Sequence, residues 1–284
     1  MTAFPRAEAD RVLRAALAED VGPGDVTTLA TVPEGTRARA RLVAKEPLVL
    51  AGFPGFLRTF ELLGGEVVWT PRFRDGDRVG SGEVVAEAEG DARTLLTGER
   101  TALNLLQRLS GIATQAADWA RELAGTRARL VDTRKTTPGL RALEKYAVGV
   151  GGAGNHRFGL FDGVLIKENH IRAAGGIAPA VDAARRSVPH TLKIEVEVTT
   201  LAELDEALRA GADAVLCDNM DLPTLRRAVE RTAGRALVEA SGGITRERLR
   251  AVAETGVDLI SAGALTHSAR AVDLSLLFEE GSAA

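Results

Sequence analysis

The chain has 284 residues and a formal net charge of -3, with 45% hydrophobic and 26% charged residues. This composition is ordinary for a globular protein, and the lack of a run rich in Lys and Arg argues against a nucleic-acid partner. Cys217 is the single cysteine, which excludes an intrachain disulfide and a cysteine-only metal site. The chain shows no signal segment and no apolar run of the ~20 residues that span a bilayer, so we expect a cytoplasmic protein without a membrane partner.

The first hundred residues have a mixed pattern. Apolar residues at helical spacing predict a helix over 6–18, and residues 37–50 and 66–70 have the character of strands. A turn-rich segment at 75–83 leads into Val84–Ala86, as is typical of a hairpin. The pattern predicts an α+β domain with an antiparallel sheet.

The rhythm changes after this region. One long or broken helix is predicted over 91–124, with Gly125 as its stop signal. Beyond it, short apolar runs alternate with helical stretches, which predicts a parallel α/β sheet with right-handed crossovers. The apolar runs lie at 128–131, 163–166, 192–198, 214–217, 235–238 and 257–260.

Two features favour a closed barrel over an open, doubly wound sheet. Glu195 and Glu197 alternate with apolar residues, and a charged strand face fits the mouth of a barrel better than a sheet covered by helices on both faces. Glu195 would lie one layer deeper in the barrel than Glu197, on the same strand face, and could pair there with Lys193. Polar residues also follow nearly every run, at the end where barrel enzymes place their active sites. Six apolar runs instead of eight predict a short or irregular barrel of six to seven strands.

Positive charge is concentrated among these polar ends. The cluster includes Arg134 and Lys135 after the first run, Arg157 further on, and Lys167 after the second run. Only five of the 36 basic residues are Lys, so two lysines in this cluster indicate positions that need a compact ammonium. Solvated surface charge is the alternative for any single member. The cluster as a whole predicts a small, multiply charged anion as the ligand.

Carboxylates and glycine-rich loops supply two further parts of a candidate site. Glu197 and Asp218 end consecutive runs, and such a pair suits Mg²⁺ bound through water, sugar hydroxyls or a developing positive charge. A set of salt bridges without chemistry is the alternative. The loop at 241–243 and Gly263, with His267 close behind it, follow the last two runs, where barrels often bind phosphate.

Taken in order, these motifs resemble the quinolinate phosphoribosyltransferase family, which has the type II phosphoribosyltransferase fold. Ala153 is a small departure, because a glycine is usual there. The resemblance implies an N-terminal α/β sandwich over 1–105 and an irregular barrel over 106–267, with a tail at 268–284 that packs back on the first domain. The resemblance also includes the segments Glu19–Thr27, Glu99–Asn104, Leu109–Thr114 and Leu265–Ser268.

The reaction implied by the resemblance joins quinolinate and phosphoribosyl pyrophosphate to give nicotinate mononucleotide, pyrophosphate and CO₂ in NAD biosynthesis, with Mg²⁺ as cofactor. It also implies a homodimer, with higher assembly left open, in which Arg100 of the partner subunit reaches the quinolinate site. The quinolinate residues carried over are Thr133, Arg134, Lys135, His156, Arg157 and Lys167. The phosphoribosyl and phosphate residues carried over are Glu197, Asp218, Ser241, Gly242, Gly243, Gly263 and His267. The catalytic roles fall to Lys135, Lys167, Glu197 and Asp218, and the two carboxylates also hold the metal, through water.

Three other functions remain open at this point. Lys167 at a strand end also suits a Schiff-base aldolase. A non-catalytic protein could bind a pyridine dicarboxylate without turnover. A transferase that uses nicotinate would release no CO₂, although the number of cations favours the dicarboxylate.

Overall fold

The computed structural model describes residues 3–279, which fold into two compact units. Residues up to Ala117, residues 137–152 and the tail from Ser268 form the first unit, and residues 118–136 and 153–267 form the second. Residues 1–2 and 280–284, included in the predicted first domain and tail, lie outside the described residues.

The helices and strands of the described residues are numbered in chain order. The helices are α1 (Arg6–Val21), α2 (Val26–Thr31), α3 (Phe53–Leu63), α4 (Ala92–Glu122), α5 (Arg141–Val150), α6 (Glu168–Ala174), α7 (Ile177–Ser187), α8 (Leu201–Arg209), α9 (Leu222–Thr232), α10 (Arg246–Ala253) and α11 (Ala264–His267). The strands are β1 (Arg37–Ala44), β2 (Leu48–Val49), β3 (Val67–Pro71), β4 (Arg78–Val79), β5 (Val84–Asp91), β6 (Arg129–Val131), β7 (Val164–Ile166), β8 (Ile194–Val198), β9 (Ala214–Asp218), β10 (Leu237–Ser241), β11 (Leu259–Ser261) and β12 (Leu274–Phe278). Within residues 3–279, none of the helices is both long enough and apolar enough to cross a membrane.

An antiparallel sheet forms the frame of the first unit, in the order β12-β1-β5-β3. Buried and exposed residues alternate along β1, so one face of the sheet lies on the core and the other faces solvent. Phe56 and Phe60 from α3 and Leu95 and Leu106 from α4 belong to that core. The tail supplies β12, which pairs with β1 as the outer strand.

The long helix predicted over 91–124 is confirmed as α4, which runs without a break from Ala92 to Glu122. Leu95, Leu103 and Leu106 lie on its buried side, so the spacing that predicted the helix also faces the core. The boundary between the two units falls within α4, after Ala117, and differs from the predicted domain boundary at residue 105.

The segment 137–152 belongs to the first unit, although the sequence analysis placed it in the barrel. Its helix α5 carries the fully buried Glu144, whose carboxylate accepts a hydrogen bond from Arg108 at 2.9 Å and one from the Thr137 hydroxyl at 2.8 Å. Gly151 packs so tightly that an added Cβ would lie 2.4 Å from the Ala113 carbonyl oxygen. These are long-range contacts, which helical spacing along one segment does not reveal.

A six-stranded parallel sheet forms the second unit, in the order β6-β11-β10-β9-β8-β7. Helices alternate with its strands along the chain, which gives the unit the character of an α/β barrel. Val131 at the end of β6 makes a parallel bridge with Gly154, so an extended segment lies on the free side of β6 as a seventh position. The predicted irregular barrel is confirmed.

The register of the parallel strands places polar residues in rows on one face. Leu216 pairs with Glu197 on one side and with Glu239 on the other, so the two carboxylates lie in one row. Asp218 pairs with Ser241 in the row nearer the C-terminal ends. The polar face predicted from alternation in β8 is therefore shared by its neighbouring strands.

Candidate functional site

Every predicted site residue except Arg100 lies in the second unit. Lys167 directly follows β7, Glu197 is the penultimate residue of β8, Asp218 ends β9, and Ser241 ends β10. Because parallel strands end at one edge of the sheet, these residues form a common rim. Arg100 lies on α4 in the first unit, where it is exposed.

An ion pair joins two parts of the predicted site at this rim. The Lys167 ammonium bonds to the Glu197 carboxylate. The Lys167 side chain is 46% exposed and that of Glu197 only 17%, so the carboxylate is fixed in the rim while the ammonium stays accessible. Lys167, which was predicted to bind quinolinate, is thereby held by Glu197, which was predicted to bind the phosphoribosyl group.

Arg157 is held by its own loop. Its Nη1 donates to the Gly163 carbonyl over 2.9 Å. Burial, and then the nearby guanidinium of Arg134, lower the pKa of Arg157. Two cations held this close repel each other, and an anion bound to both relieves the repulsion.

Asp132 fixes the segment that carries His156 and Arg157. Its carboxylate is buried and accepts hydrogen bonds from the Asn155 side-chain amide and the His156 backbone N–H, both at 2.8 Å. Asp132 directly follows the apolar run 128–131, where its sequence position alone gives it no role. Its role depends on a partner far along the chain.

The loop after β6 is tied to the loop after β11. The Thr133 hydroxyl accepts the Lys135 N–H at 3.0 Å, and the Thr266 hydroxyl donates to the Lys135 carbonyl over 2.8 Å. A Cβ at Gly263 would lie 2.8 Å from Cδ of Lys135 and 3.2 Å from Nε2 of His267, so both side chains pack closely on this glycine. Lys135, Gly263 and His267, predicted for two different substrates, are brought together.

The loop after β10 contains two consecutive glycines with positive φ angles. Gly242 and Gly243 have φ angles of 85° and 55°, a region that glycine adopts without strain. The loop leads into α10, and the backbone N–H groups at the N-terminal end of a helix are not all bonded within the helix. Such N–H groups favour an anion.

A trio of side chains, one fully buried and two partly buried, contains a residue that the sequence analysis missed. His156 Nε2 lies 3.1 Å from Glu195 Oε2 and 3.6 Å from Glu239 Oε2, and only 1% of the Glu239 side chain is exposed. Glu195 therefore meets His156, whereas Lys193 was the partner considered from sequence. Glu239 escaped notice because the predicted apolar run ended one residue before it. A carboxylate inside an otherwise apolar strand was the signal that could have found it.

The trio has ligand types suited to a metal, since its three ligand atoms lie within 4.8 Å of one another. Its hydrogen bonding does not fit one. His156 Nδ1 accepts the Arg157 N–H at 2.7 Å, so the ring hydrogen belongs on Nε2. A metal-bound imidazole would instead offer the Nε2 lone pair and carry its hydrogen on Nδ1. We assign Nε2–H as the donor to Glu195 and place no ion here.

We expect Glu239→Gln to stabilise the protein at alkaline pH more than at acidic pH. Burial, and then the Glu195 carboxylate, raise the pKa of Glu239. A carboxyl group with a raised folded pKa contributes stability below its unfolded pKa and loses it as the pH rises through the folded pKa. Gln lacks this titration, so the gain at high pH should be on the order of 1–3 kcal/mol.

Thermal unfolding of both proteins from about pH 4 to about pH 9 measures this difference. Glu230→Gln is the matched control, because Glu230 is exposed on α9. A gain for Glu239→Gln that does not grow with pH, or that the control reproduces, would contradict the assignment.

The comparisons with known proteins span both units. The Quinolinate phosphoribosyl transferase N-terminal domain matches residues 25–110, and the C-terminal domain of the same family matches residues 112–277. A Mycobacterium leprae protein named nicotinate-nucleotide pyrophosphorylase (carboxylating) is 45% identical over 272 residues, covering 93% of this chain and 95% of its own. A Nicotiana tabacum quinolinate phosphoribosyltransferase (decarboxylating) is 38% identical over 293 residues, covering 96% and 83%.

A solved structure gives the same result in three dimensions. The nicotinate-nucleotide pyrophosphorylase from Francisella tularensis superposes with a TM-score of 0.94 at 40% identity, over 98% of each chain. All the predicted site residues, from Arg100 to His267, lie within the matched domains. The chain belongs to the quinolinate phosphoribosyl transferase family.

Proposed function

We propose that this protein transfers the phosphoribosyl group of phosphoribosyl pyrophosphate to quinolinate and releases pyrophosphate and CO₂, forming nicotinate mononucleotide for NAD biosynthesis. One observation carries the proposal: a cation pocket, two carboxylates and a glycine-rich phosphate loop lie at one rim of the barrel. Each part suits one piece of the two substrates. The names of the relatives support the same reaction.

The cation pocket suits a substrate with two adjacent carboxylates. Arg134 and Arg157 lie close enough for one guanidinium to affect the other, and forked guanidinium groups bind carboxylates in a bidentate way. Lys135 and Lys167 add point charges from the loops after β6 and β7. Nicotinate, with one carboxylate, would leave part of this charge unmatched. Quinolinate is therefore the favoured substrate.

In the transfer step, the ring nitrogen of quinolinate attacks the anomeric carbon while pyrophosphate departs. Positive charge develops on the ribose, and the carboxylates of Glu197 and Asp218 stabilise it. The cations hold both substrate carboxylates, which orients the ring nitrogen for attack. The N–H groups of the 241–243 loop bind phosphate oxygens.

The decarboxylation follows from the new bond to nitrogen. A quaternised ring nitrogen withdraws electrons from the adjacent carbon, so the carboxylate there leaves as CO₂ and the carbon takes up a proton. Lys135 and Lys167 are the residues that orient this carboxylate or supply the proton.

Mg²⁺ is part of the proposal, held by Glu197 and Asp218 through water. The donors fit this ion, because both are carboxylates on the same face of neighbouring strands, and Mg²⁺ is usually bound by one or two carboxylates together with substrate phosphates. When bound, the ion would neutralise charge on the departing pyrophosphate.

A homodimer is also part of the proposal, with Arg100 of the partner subunit entering the quinolinate pocket. The surface of each unit supports self-association. Leu160 and Phe161 are 72% and 76% exposed, on a loop whose N–H groups are fixed by Asp162, and Val26 in the first unit is 81% exposed. Adjacent exposed apolar side chains, such as Leu160 and Phe161, support an interaction surface. A cytoplasmic location completes the proposal, since both substrates are soluble anions.

We expect the purified protein to form the mononucleotide and CO₂ from phosphoribosyl pyrophosphate, Mg²⁺ and quinolinate, but not from nicotinate. A chelator should stop turnover, and added Mg²⁺ should restore it. Turnover of nicotinate alone would keep the transfer chemistry and overturn the dicarboxylate assignment. Turnover of neither would overturn the proposed function, and borohydride trapping on Lys167 would then test the aldolase. The ion pair with Glu197 disfavours that rival, because a Schiff-base lysine sits in an apolar or cationic environment.

A further inference from the structure

Asn219, which directly follows Asp218, has an unusual backbone. Its φ is 55°, and within residues 3–279 it shares a positive φ only with glycines and Ala233. Ala233 lies at the C-terminal cap of α9, a common place for this conformation. Asn219 instead lies just beyond β9 at the rim of the site. A positive φ outside glycine is uncommon, and at the rim of a candidate site it points to a functional role.

Asn219 makes one hydrogen bond to Asp218 and another to Ser241. Its side-chain Nδ2 donates to Asp218 Oδ2 over 2.9 Å. Its backbone N–H donates to the Ser241 carbonyl over 3.0 Å, which extends the pairing of β9 with β10 beyond the partners Asp218 and Ser241. One residue therefore bonds to the proposed ribose carboxylate and to the first residue of the phosphate loop.

The side-chain amide also packs on the phosphate loop. A Cβ added to Gly242 would lie 2.3 Å from Oδ1 and 2.5 Å from Cγ of Asn219, so the amide rests directly on the glycine backbone. The same glycine has a φ of 85°, which disfavours other residues. The amide of Asn219 thus lies between the Asp218 carboxylate and Gly242.

We propose that Asn219 is a positioning residue that fixes the spacing between the Asp218 carboxylate and the Ser241–Gly243 loop, and that it thereby sets the affinity for phosphoribosyl pyrophosphate. The inference rests on the proposed function, because that function assigns these two parts to one substrate. The ribose and the phosphates of that substrate are joined covalently, so the groups that bind them must keep a fixed distance. Without the amide, binding would have to order both parts.

Quinolinate binding should depend little on Asn219. Arg157 is anchored by Gly163, and Lys167 by Glu197, so these cations have supports of their own. If Asn219 had a merely structural role, its loss would weaken the binding of both substrates. The proposal therefore predicts weaker binding of phosphoribosyl pyrophosphate with nearly unchanged binding of quinolinate.

Asn219→Gly is the main test, because glycine adopts the left-handed φ without strain and lacks the amide. We expect KM for phosphoribosyl pyrophosphate to rise by about 10- to 100-fold, with KM for quinolinate changed by less than about twofold. Calorimetry of phosphoribosyl pyrophosphate with Mg²⁺ should show the same loss of affinity. Phthalate, which has two carboxylates but no ring nitrogen, can fill the quinolinate pocket during this titration without reaction.

Ala233→Gly is the matched control, because within residues 3–279 Ala233 is the other non-glycine position with a positive φ. It should leave both KM values unchanged. Asn219→Ala also lacks the amide but disfavours the left-handed φ. Comparing it with Asn219→Gly therefore distinguishes the role of the backbone from the role of the amide. Normal kinetics for Asn219→Gly with impaired Asn219→Ala would mean a purely conformational role and would overturn the proposal, as would equal losses for both substrates. If Asn219→Gly does not fold, Asn219→Ser, which removes the amide without adding a charge, must raise KM for phosphoribosyl pyrophosphate and leave KM for quinolinate nearly unchanged.

The proposed function can fail separately. If the unsubstituted protein turns over neither pyridine substrate, that function is overturned, and calorimetry alone decides the inference. Equal affinity of the unsubstituted and Asn219→Gly proteins for phosphoribosyl pyrophosphate would overturn it.

Discussion

Arg157→Ala should lower kcat/KM for quinolinate by about a hundredfold or more, while KM for phosphoribosyl pyrophosphate changes by less than about twofold. The Arg157 guanidinium is partly buried beside Arg134 and is aimed by its bond to Gly163. Removing it deletes one half of the proposed dicarboxylate clamp and leaves a buried substrate charge unmatched. Steady-state kinetics with each substrate varied in turn measures the split.

Two variants sharpen this test. Arg157→Lys keeps the positive charge but lacks the planar guanidinium that binds a carboxylate with two hydrogen bonds. It should therefore recover only part of the kcat/KM lost in Arg157→Ala. Arg186→Ala removes an exposed arginine from α7 and should behave like the unsubstituted protein. Equal losses for both substrates in Arg157→Ala would contradict the assignment of Arg157 to quinolinate.

Mixing inactive Arg100→Ala chains with inactive Arg157→Ala chains should restore activity. If each site takes Arg100 from the partner subunit, a mixed dimer has one site with both lesions and one site with none. Random pairing in equal amounts makes half of the dimers mixed, so about a quarter of all sites should be intact. Turnover after subunit exchange, compared with each variant alone, measures the recovery.

The control for this experiment combines Arg134→Ala with Arg157→Ala. Both residues lie in the second unit, so every site of a mixed dimer keeps one lesion and no recovery is expected. Differently tagged chains verify that mixed dimers have formed. Verified mixed dimers of the Arg100 and Arg157 variants that stay inactive would remove the shared-site claim.

The barrel could be predicted because its signals are local. Short apolar runs, helical spacing between them and polar residues after the runs all lie within single segments, and the strands β6 to β11 follow these runs with shifted ends. The role of α5 could not be predicted in this way. Its buried Glu144 is matched by Arg108, a partner on another helix of the first unit. Only the folded chain brings the two together.

The candidate site likewise has features that local sequence signals predict and features that depend on long-range contacts. The residues at the rim were predictable as polar ends of strands, whereas the contacts between them depend on register. Glu239 meets His156 because β10 pairs with β9 in one particular alignment, and a shift of one residue would turn its carboxylate to the opposite face. The left-handed φ of Asn219 likewise has no signal in a single sequence, since Asn occurs freely in ordinary loops.

The pairing of β1 with β12 bears on how the chain folds during synthesis. Arg41 pairs with Leu277, so the sheet of the first unit joins the two ends of the chain. All residues of the second unit leave the ribosome before β12 does, and until then β1 presents an open edge to other chains. Non-local pairing of this kind is slow to form. The first unit therefore cannot complete its sheet until β12 has been translated.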